Sequence, residues 1–130
     1  VSADLTKYNF EAGIPGFEQL RHFVFEDVGD ELPMKLMKAE EDPNISLLVV
    51  SPFLFYPEYE WELAESVKQE LDIREQGDVE IWSIITIPTD PSKATINLLA
   101  PILLNTRMQR GKQLILHDHA YSTRAPLARP

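Results

Sequence analysis

His117, Asp118 and His119 are the residues whose types and spacing most directly suggest chemistry. On a strand, His117 and His119 share a face, and two imidazoles on one face can begin a zinc site. A working site needs a third ligand, which His22 or a carboxylate would have to supply from a distant part of the chain. The plainer reading is two histidines at a strand end or in a loop. Glu58, Glu60 and Glu62 form a second set. Paired carboxylates can perform acid–base work or hold a hard cation, provided that burial or a cleft organises them. These three alternate with Tyr59, Trp61 and Leu63, which reads as the solvated face of a half-buried strand. The chemical alternative is therefore a metal-dependent enzyme on a small β-barrel, using His117, His119 and surface glutamates.

Other catalytic signatures are absent. There is no cysteine, which removes disulfides, thiolate nucleophiles and thiolate metal sites together. The stretch Gly13 to Gly16 has a proline and only two glycines, with no Lys-Ser/Thr after it, so it is not a phosphate-binding loop. No G-x-S-x-G elbow occurs, and no pattern links Ser51 or Ser83 to a histidine. No catalytic residue, metal or cofactor is assigned, and the expectation is a binding protein.

The charge points the same way. The chain of 130 residues has net charge −9, which disfavours direct contact with nucleic-acid phosphates and suits a basic protein partner. Solubility alone is the competing explanation. From Glu58 to Glu80 there are nine acids against Lys68 and Arg74, a local charge of −7. From Asn105 onward Arg107, Arg110, Lys112, Arg124 and Arg129 oppose Asp118 alone, a local charge of +4. A hydrophobic fraction of 44% supplies a core for one domain over residues 1–130. No apolar run approaches the ~20 residues that span a membrane. Neither a membrane nor a nucleic-acid partner is expected. No basic-then-apolar start marks a secretory signal, so a cytoplasmic location is expected. The chain does not begin with Met, and its start is expected to lie upstream.

The elements that must position these residues are mostly short strands. Lys7 to Phe10, a run through Leu20 to Asp27, Met34 to Ala39, Ser46 to Val50, Val79 to Ile87, Thr95 to Leu98, Ile102 to Asn105 and Gln113 to Leu116 all read as strands. Tyr59 to Leu63 reads as a half-buried strand with an acidic outer face. Pro15 and Gly16 suit the two central positions of a turn, Pro fixing φ and Gly accepting a positive one. Glu65 to Leu71 is the one good helix, with Val67 and Leu71 on one side. The tail after Tyr121 reads as loop. The fold class is mainly β: a small antiparallel β-barrel-like or sandwich fold with one short α-helix at about Glu65 to Leu71. Phe53, Phe55 and Tyr56 cluster between Pro52 and Pro57, where aromatics serve either as an exposed anchor or as packing beneath a loop.

Three stretches carry a family resemblance. They are Gly13-Ile14-Pro15-Gly16-Phe17-Glu18 with the strand to Phe25; Ser51-Pro52-Phe53 with Pro57 to Leu63 and the helix; and Asn97 to Asn105 with Gly111-Lys112-Gln113 and Tyr121 to Arg124. In order and spacing the chain resembles the FliW family of flagellar assembly factors. Family members commonly carry another strand or two before the position of Val1, so closure of the barrel is the point this departure puts in question. The resemblance implies a β-barrel-like protein of the bacterial cytoplasm with two partners, flagellin and CsrA, a basic RNA-binding regulator that represses translation of flagellin messenger RNA. FliW proteins bind CsrA when flagellin is scarce and are captured by flagellin when it accumulates. The acidic residues expected to face CsrA are Glu58, Glu60, Glu62, Asp72, Glu75 and Asp78. Phe53, Phe55 and Tyr56 are the candidates for flagellin. Gly13, Pro15, Gly16, Asn97, Pro101 and Asn105 are expected to serve structure, the two asparagines by satisfying local backbone groups.

Overall fold

A computed structural model describes residues 7–28, 34–117 and 120–127. The first strand, β1 (Lys7–Asn9), leads through a tight turn to β2 (His22–Asp27), and β3 (Met34–Ala39) and β4 (Ser46–Val50) follow as an antiparallel meander. The α-helix found among the described residues, α1 (Glu65–Glu70), precedes the long strand β5 (Val79–Thr86). The chain finishes with β6 (Thr95–Ile96), β7 (Ile102–Asn105), β8 (Arg110–Gln113) and β9 (Ala125–Pro126).

Hydrogen bonding runs β4-β3-β2-β1-β8-β7-β5, and β5 returns to β4, so seven strands close into a barrel. Closure resolves the choice between barrel and sandwich, and the barrel closes with the strands present. Every pairing is antiparallel except β1 with β8, which run parallel and meet at Asn9 and Arg110. Gln109 reinforces that seam: its C=O accepts the Asn9 N–H at 2.9 Å and its side-chain amide donates to the Lys7 C=O at 2.9 Å. β5 pairs along one edge first with β7 and then with β6, which carries β9 beyond it.

β1, β2 and β5 fall one or two residues short of the expected runs, and three further differences have a local reason. β6 stops at Ile96, because Asn97 turns the chain by accepting the N–H groups of Leu99 and Ala100 on its side-chain oxygen, as expected of a backbone-satisfying asparagine. β8 begins at Arg110 and ends at Gln113; Leu114 and Leu116 still donate to the carbonyls of Pro101 and Leu99. The tail holds β9 where a loop was expected, two residues being too few to show a period.

The apolar residues fall into two clusters on opposite sides of the barrel wall. The interior holds Phe10, Phe23, Phe25, Met37, Ile102 and Leu104. Phe10 stacks edge-on against Phe23, centroids 5.2 Å apart, and Tyr8 does so against Phe25 at 5.4 Å. The second cluster lies outside the wall, where Val50 and Ile85 meet Tyr59, Ile96, Leu98 and Ala125. β4, β5 and β7 thus carry apolar groups on both faces, whereas β2 exposes His22, Glu26 and Asp27. No helix among the described residues is long and apolar enough to cross a membrane.

Three local devices fix the barrel. The turn at Ile14-Pro15-Gly16-Phe17 closes with Phe17 N–H on the Ile14 C=O at 2.8 Å, with Gly16 at φ 88°. Gly13, at φ 67°, lies so close to Glu18 that a Cβ would sit 2.5 Å from its carbonyl oxygen. Gly111 lies under the Phe10 ring, where a Cβ would come within 2.4 Å of ring carbons. Glu41 ties the β3–β4 turn to the start of β2: it accepts the N–H groups of Arg21 and His22 and meets His22 Nδ1 at 2.8 Å. Partial burial opposes its ionisation, but those hydrogen bonds outweigh it and lower its pKa to about 2.

Two predictions arise from these contacts. Gly111→Ala should lower the urea unfolding free energy by about 1–3 kcal/mol through overpacking against Phe10. Gly77→Ala, where a Cβ would meet nothing within 4 Å, should leave it nearly unchanged; equal effects would place the Gly111 constraint elsewhere. Because the folded pKa of Glu41 is depressed, its contribution is complete above the ordinary value of 4.5 and is lost as pH falls toward about 2. The stability gap between wild type and Glu41→Gln should therefore close on acidification through that window, and a gap independent of pH would refute the assignment.

Candidate functional site

Residues 51–64 cross the outer face of the barrel wall. After the 3₁₀ turn Pro52–Leu54 the chain makes a second turn, closed by the Tyr59 N–H on the Tyr56 C=O at 3.0 Å, and then crosses without regular structure, with Tyr59 buried, Trp61 and Leu63 half-buried, and Glu58, Glu60 and Glu62 exposed. The burial alternates as a strand would, but this segment joins no ladder, contrary to the strand expected at Tyr59 to Leu63. It lies across a sheet whose nearby edges are already paired, and Pro52 and Pro57 have no N–H to give. Tyrosine hydroxyls hold it instead. Tyr59 donates to the Leu98 C=O at 2.7 Å, Tyr121 to the Glu60 C=O at 2.6 Å, and Tyr56 to the Pro126 C=O. The Glu60 N–H in turn donates to the Tyr121 oxygen at 3.2 Å. Burial pushes the Tyr59 phenol well above its ordinary range, so it stays a donor.

The stretch from α1 to β5 is fastened from beneath by Asn105, which is fully buried. Its amide donates to the carbonyls of Leu71 and Asp72 at 2.6 and 3.0 Å, and its oxygen accepts the N–H groups of Arg107 and Met108. Asp78 is buried as well, 6% exposed. Its carboxylate accepts the N–H groups of Arg74 and Glu75 and faces Arg107 Nε at 3.4 Å. The Arg74 N–H leads in holding its carboxyl below the usual range; desolvation opposes this, and Arg107 and the Glu75 N–H add to it. Asp78 is thus occupied inside the fold and is withdrawn from the expected acidic surface. Asp72 is half-buried at φ 54°, beside Arg74 and Arg107. Glu58, Glu60, Glu62 and Glu75 are exposed, as expected.

Between the strip, the segment after α1 and the outer face of β5 and β7 lies a cleft of about 480 Å³. Trp61, Leu63, Ile73, Ile81 and Leu103 give it apolar walls, and Glu75, Lys68 and Arg74 line it as well. Such a cleft takes apolar side chains of a partner while the glutamates of the strip face solvent beside it. Sequence reasoning missed Ile73 and Ile81 as cleft residues: Ile73 stands outside any periodic run, and Ile81 reads as ordinary strand core.

The three aromatic candidates separate. Phe53 is 41% exposed and leans on Tyr59, whereas Phe55 and Tyr56 pack against the outer cluster. Leu54, 59% exposed beside Phe53, is the residue that the aromatic pattern overlooked. Pro101 is buried and its C=O accepts the Leu114 N–H, a structural role. His117 is exposed, His22 is engaged with Glu41 across the barrel wall strands, and Asp118 and His119 lie outside the described residues. Among the described residues no group of three or more His, Asp or Glu is placed to hold a metal.

Comparison with known proteins agrees with this architecture. The family model described as "FliW protein" matches residues 2–127. A flagellar assembly factor FliW of Bacillus subtilis (strain 168) is 40% identical over 118 residues, covering 91% of this chain and 82% of that protein. One from Thermosipho africanus (strain TCF52B) is 39% identical over 120 residues, covering 92% and 83%. The crystal structure of a flagellar assembly factor FliW superposes with a TM-score of 0.91 at 30% identity, covering 100% of this chain and 91% of that one. The closed barrel, the matched residues and the relatives agree: the chain belongs to the FliW family of flagellar assembly factors.

Proposed function

We propose that this protein serves flagellar assembly by partner switching, binding CsrA and flagellin in the cytoplasm without covalent chemistry. The observation that carries the CsrA half is the apolar cleft beside an acidic strip. Trp61 and Leu63 turn inward, while Glu58, Glu60 and Glu62 stand exposed on the same segment. A basic partner is drawn by the charge and held by the apolar walls. The surface comprises Glu58, Glu60, Glu62 and Glu75, with Asp72 at its border and Asp78 beneath it as a support. Flagellin docks on the exposed pair Phe53 and Leu54, with Phe55 and Tyr56 as the packed base beneath them. An amphipathic apolar segment fits such a patch.

The test is isothermal titration into CsrA from the same organism at two salt concentrations, repeated with flagellin present. Binding should weaken with salt, and added flagellin should abolish it. The combined variant Glu58→Gln, Glu60→Gln, Glu62→Gln and Glu75→Gln should lose about tenfold or more in affinity while unfolding normally. An unchanged affinity would reject the acidic surface, and no heat at either salt would reject CsrA as the partner. Phe53→Ala with Leu54→Ala should weaken flagellin binding and spare CsrA binding.

A further inference from the structure

The turn at residues 121–124 has a construction that the proposed surfaces leave without a purpose. The Leu98 N–H donates to the Ser122 C=O at 2.9 Å, and the Arg124 N–H donates to Ser122 Oγ at 3.0 Å. Tyr121 packs edge-on against Tyr59 with ring centroids 4.8 Å apart. This framework presents an exposed Arg124 whose guanidinium has no partner among the described residues. Lys93 nearby is exposed and equally unpaired there. Most other cations of this acidic chain are spent on neighbouring carboxylates.

Two depressions meet at Arg124. One, of about 490 Å³, is lined by Arg124 and Lys93 together with the side chains of Thr86, Thr95 and Thr123. None of these hydroxyls has a hydrogen-bond partner among the described residues. The other, of about 420 Å³, is walled by Tyr56, Leu98, Tyr121 and Pro126, with Glu58 also at its lining. The first offers a fork of charged donors and three hydroxyls, the donor set that recognises an oxyanion. The second offers aromatic and aliphatic walls.

We propose that the paired depressions form a docking groove for an extended peptide segment of a partner protein. Its acidic side chain enters the Arg124 and Lys93 side, and an apolar or aromatic side chain two positions away enters the tyrosine side. Side chains two apart in an extended chain share a face and lie ~7 Å apart, which suits neighbouring depressions. A polyanion such as a nucleic acid is the wrong occupant, because Glu58 stands at the groove and the whole chain carries −9. A single carboxylate answers the local cations without meeting that repulsion at every step. The groove shares no lining residue with the cleft beside α1 and meets the proposed surfaces only at Glu58 and Tyr56; Arg124 and Lys93 belong to neither, so variants there test it separately from the CsrA and flagellin readings.

The experiment is a titration of the ¹⁵N-labelled protein, followed by amide shifts, with two blocked tripeptides: acetyl-Phe-Gly-Asp-amide and acetyl-Asp-Gly-Phe-amide. One of them should give saturable shifts at Thr86, Thr95, Thr123 and Arg124 together with Tyr121. Replacing Asp by Asn in that peptide, or Arg124→Gln in the protein, should weaken binding by about tenfold. Lys93→Gln gives a second variant remote from the Ser122 turn and should also weaken it, with spectral dispersion reporting that each variant is folded. No saturable shift with either peptide would overturn the proposal. So would binding indifferent to both variants, or inorganic phosphate moving the same amides as strongly as the better peptide.

Discussion

β4, β5 and β7 bury apolar side chains on both faces, and most of the remaining structure answers to that constraint. Val49, Trp82, Ile84, Ile102 and Leu104 fill the barrel, while Val50, Ile85 and Leu103 point out of the same wall. A closed barrel protects strand edges and fills its interior with one face of each strand. It does nothing for the other face. At about 25 cal/mol per Å² of apolar area, leaving the outer side of three strands wet would forfeit several kcal/mol, a large part of the stability of a domain this small. The chain therefore lays a second layer over that side, made of residues 51–64, α1 with its following turn, and the segment at 120–127.

That second layer is attached by side chains rather than by a ladder. The phenol hydroxyls of Tyr56, Tyr59 and Tyr121 reach backbone carbonyls of Pro126, Leu98 and Glu60. Asn105 and Asp78 do the equivalent work beneath α1, each satisfying several backbone groups that a non-repetitive path leaves open. α1 itself buries none of its residues, and Leu71 just beyond it supplies the anchor. Ser83, buried on β5 with a hydroxyl that meets no hydrogen-bond partner among the described residues, is a cost carried at the same wall.

Much of this was legible. Unbroken apolar runs such as Leu47 to Val50 and Ile102 to Leu104 announce strands covered on both sides, and alternation in β2 and β3 announces a solvated face. The Pro15-Gly16 turn and Asn97 could be read because their conformational demands are local, whereas Asn105 caps the local N–H groups of Arg107 and Met108 but also holds the distant carbonyls of Leu71 and Asp72. The second layer could not be read in the same way. Tyr59 to Leu63 alternates as a half-buried strand would, since alternation reports burial and not hydrogen bonding. Asp78 looks like any other acid of its run, although a local cap holds it: its carboxylate accepts the N–H groups of Arg74 and Glu75, and Arg107, 29 residues away, adds to them. Gly111 gives no local signal at all, as its reason is the ring of Phe10 across the barrel seam.

The strip that covers the outer wall also carries three exposed glutamates, and the two properties alternate residue by residue. Inward positions Tyr59, Trp61 and Leu63 complete the outer layer, and outward positions Glu58, Glu60 and Glu62 are exposed and carry its charge. Substitutions at the exposed Glu60 and Glu62 are therefore expected to leave the packing of the outer layer intact, whereas inward substitutions disturb it. The cleft appears where the cover ends, because the chain turns into α1 before it has crossed all of β5 and β7. Leu103, Ile81 and Val79 are left with Ile73 and the edge of Trp61 for company. An apolar floor that the fold does not finish covering, set beside exposed carboxylates, is the physical feature on which the proposed CsrA surface rests.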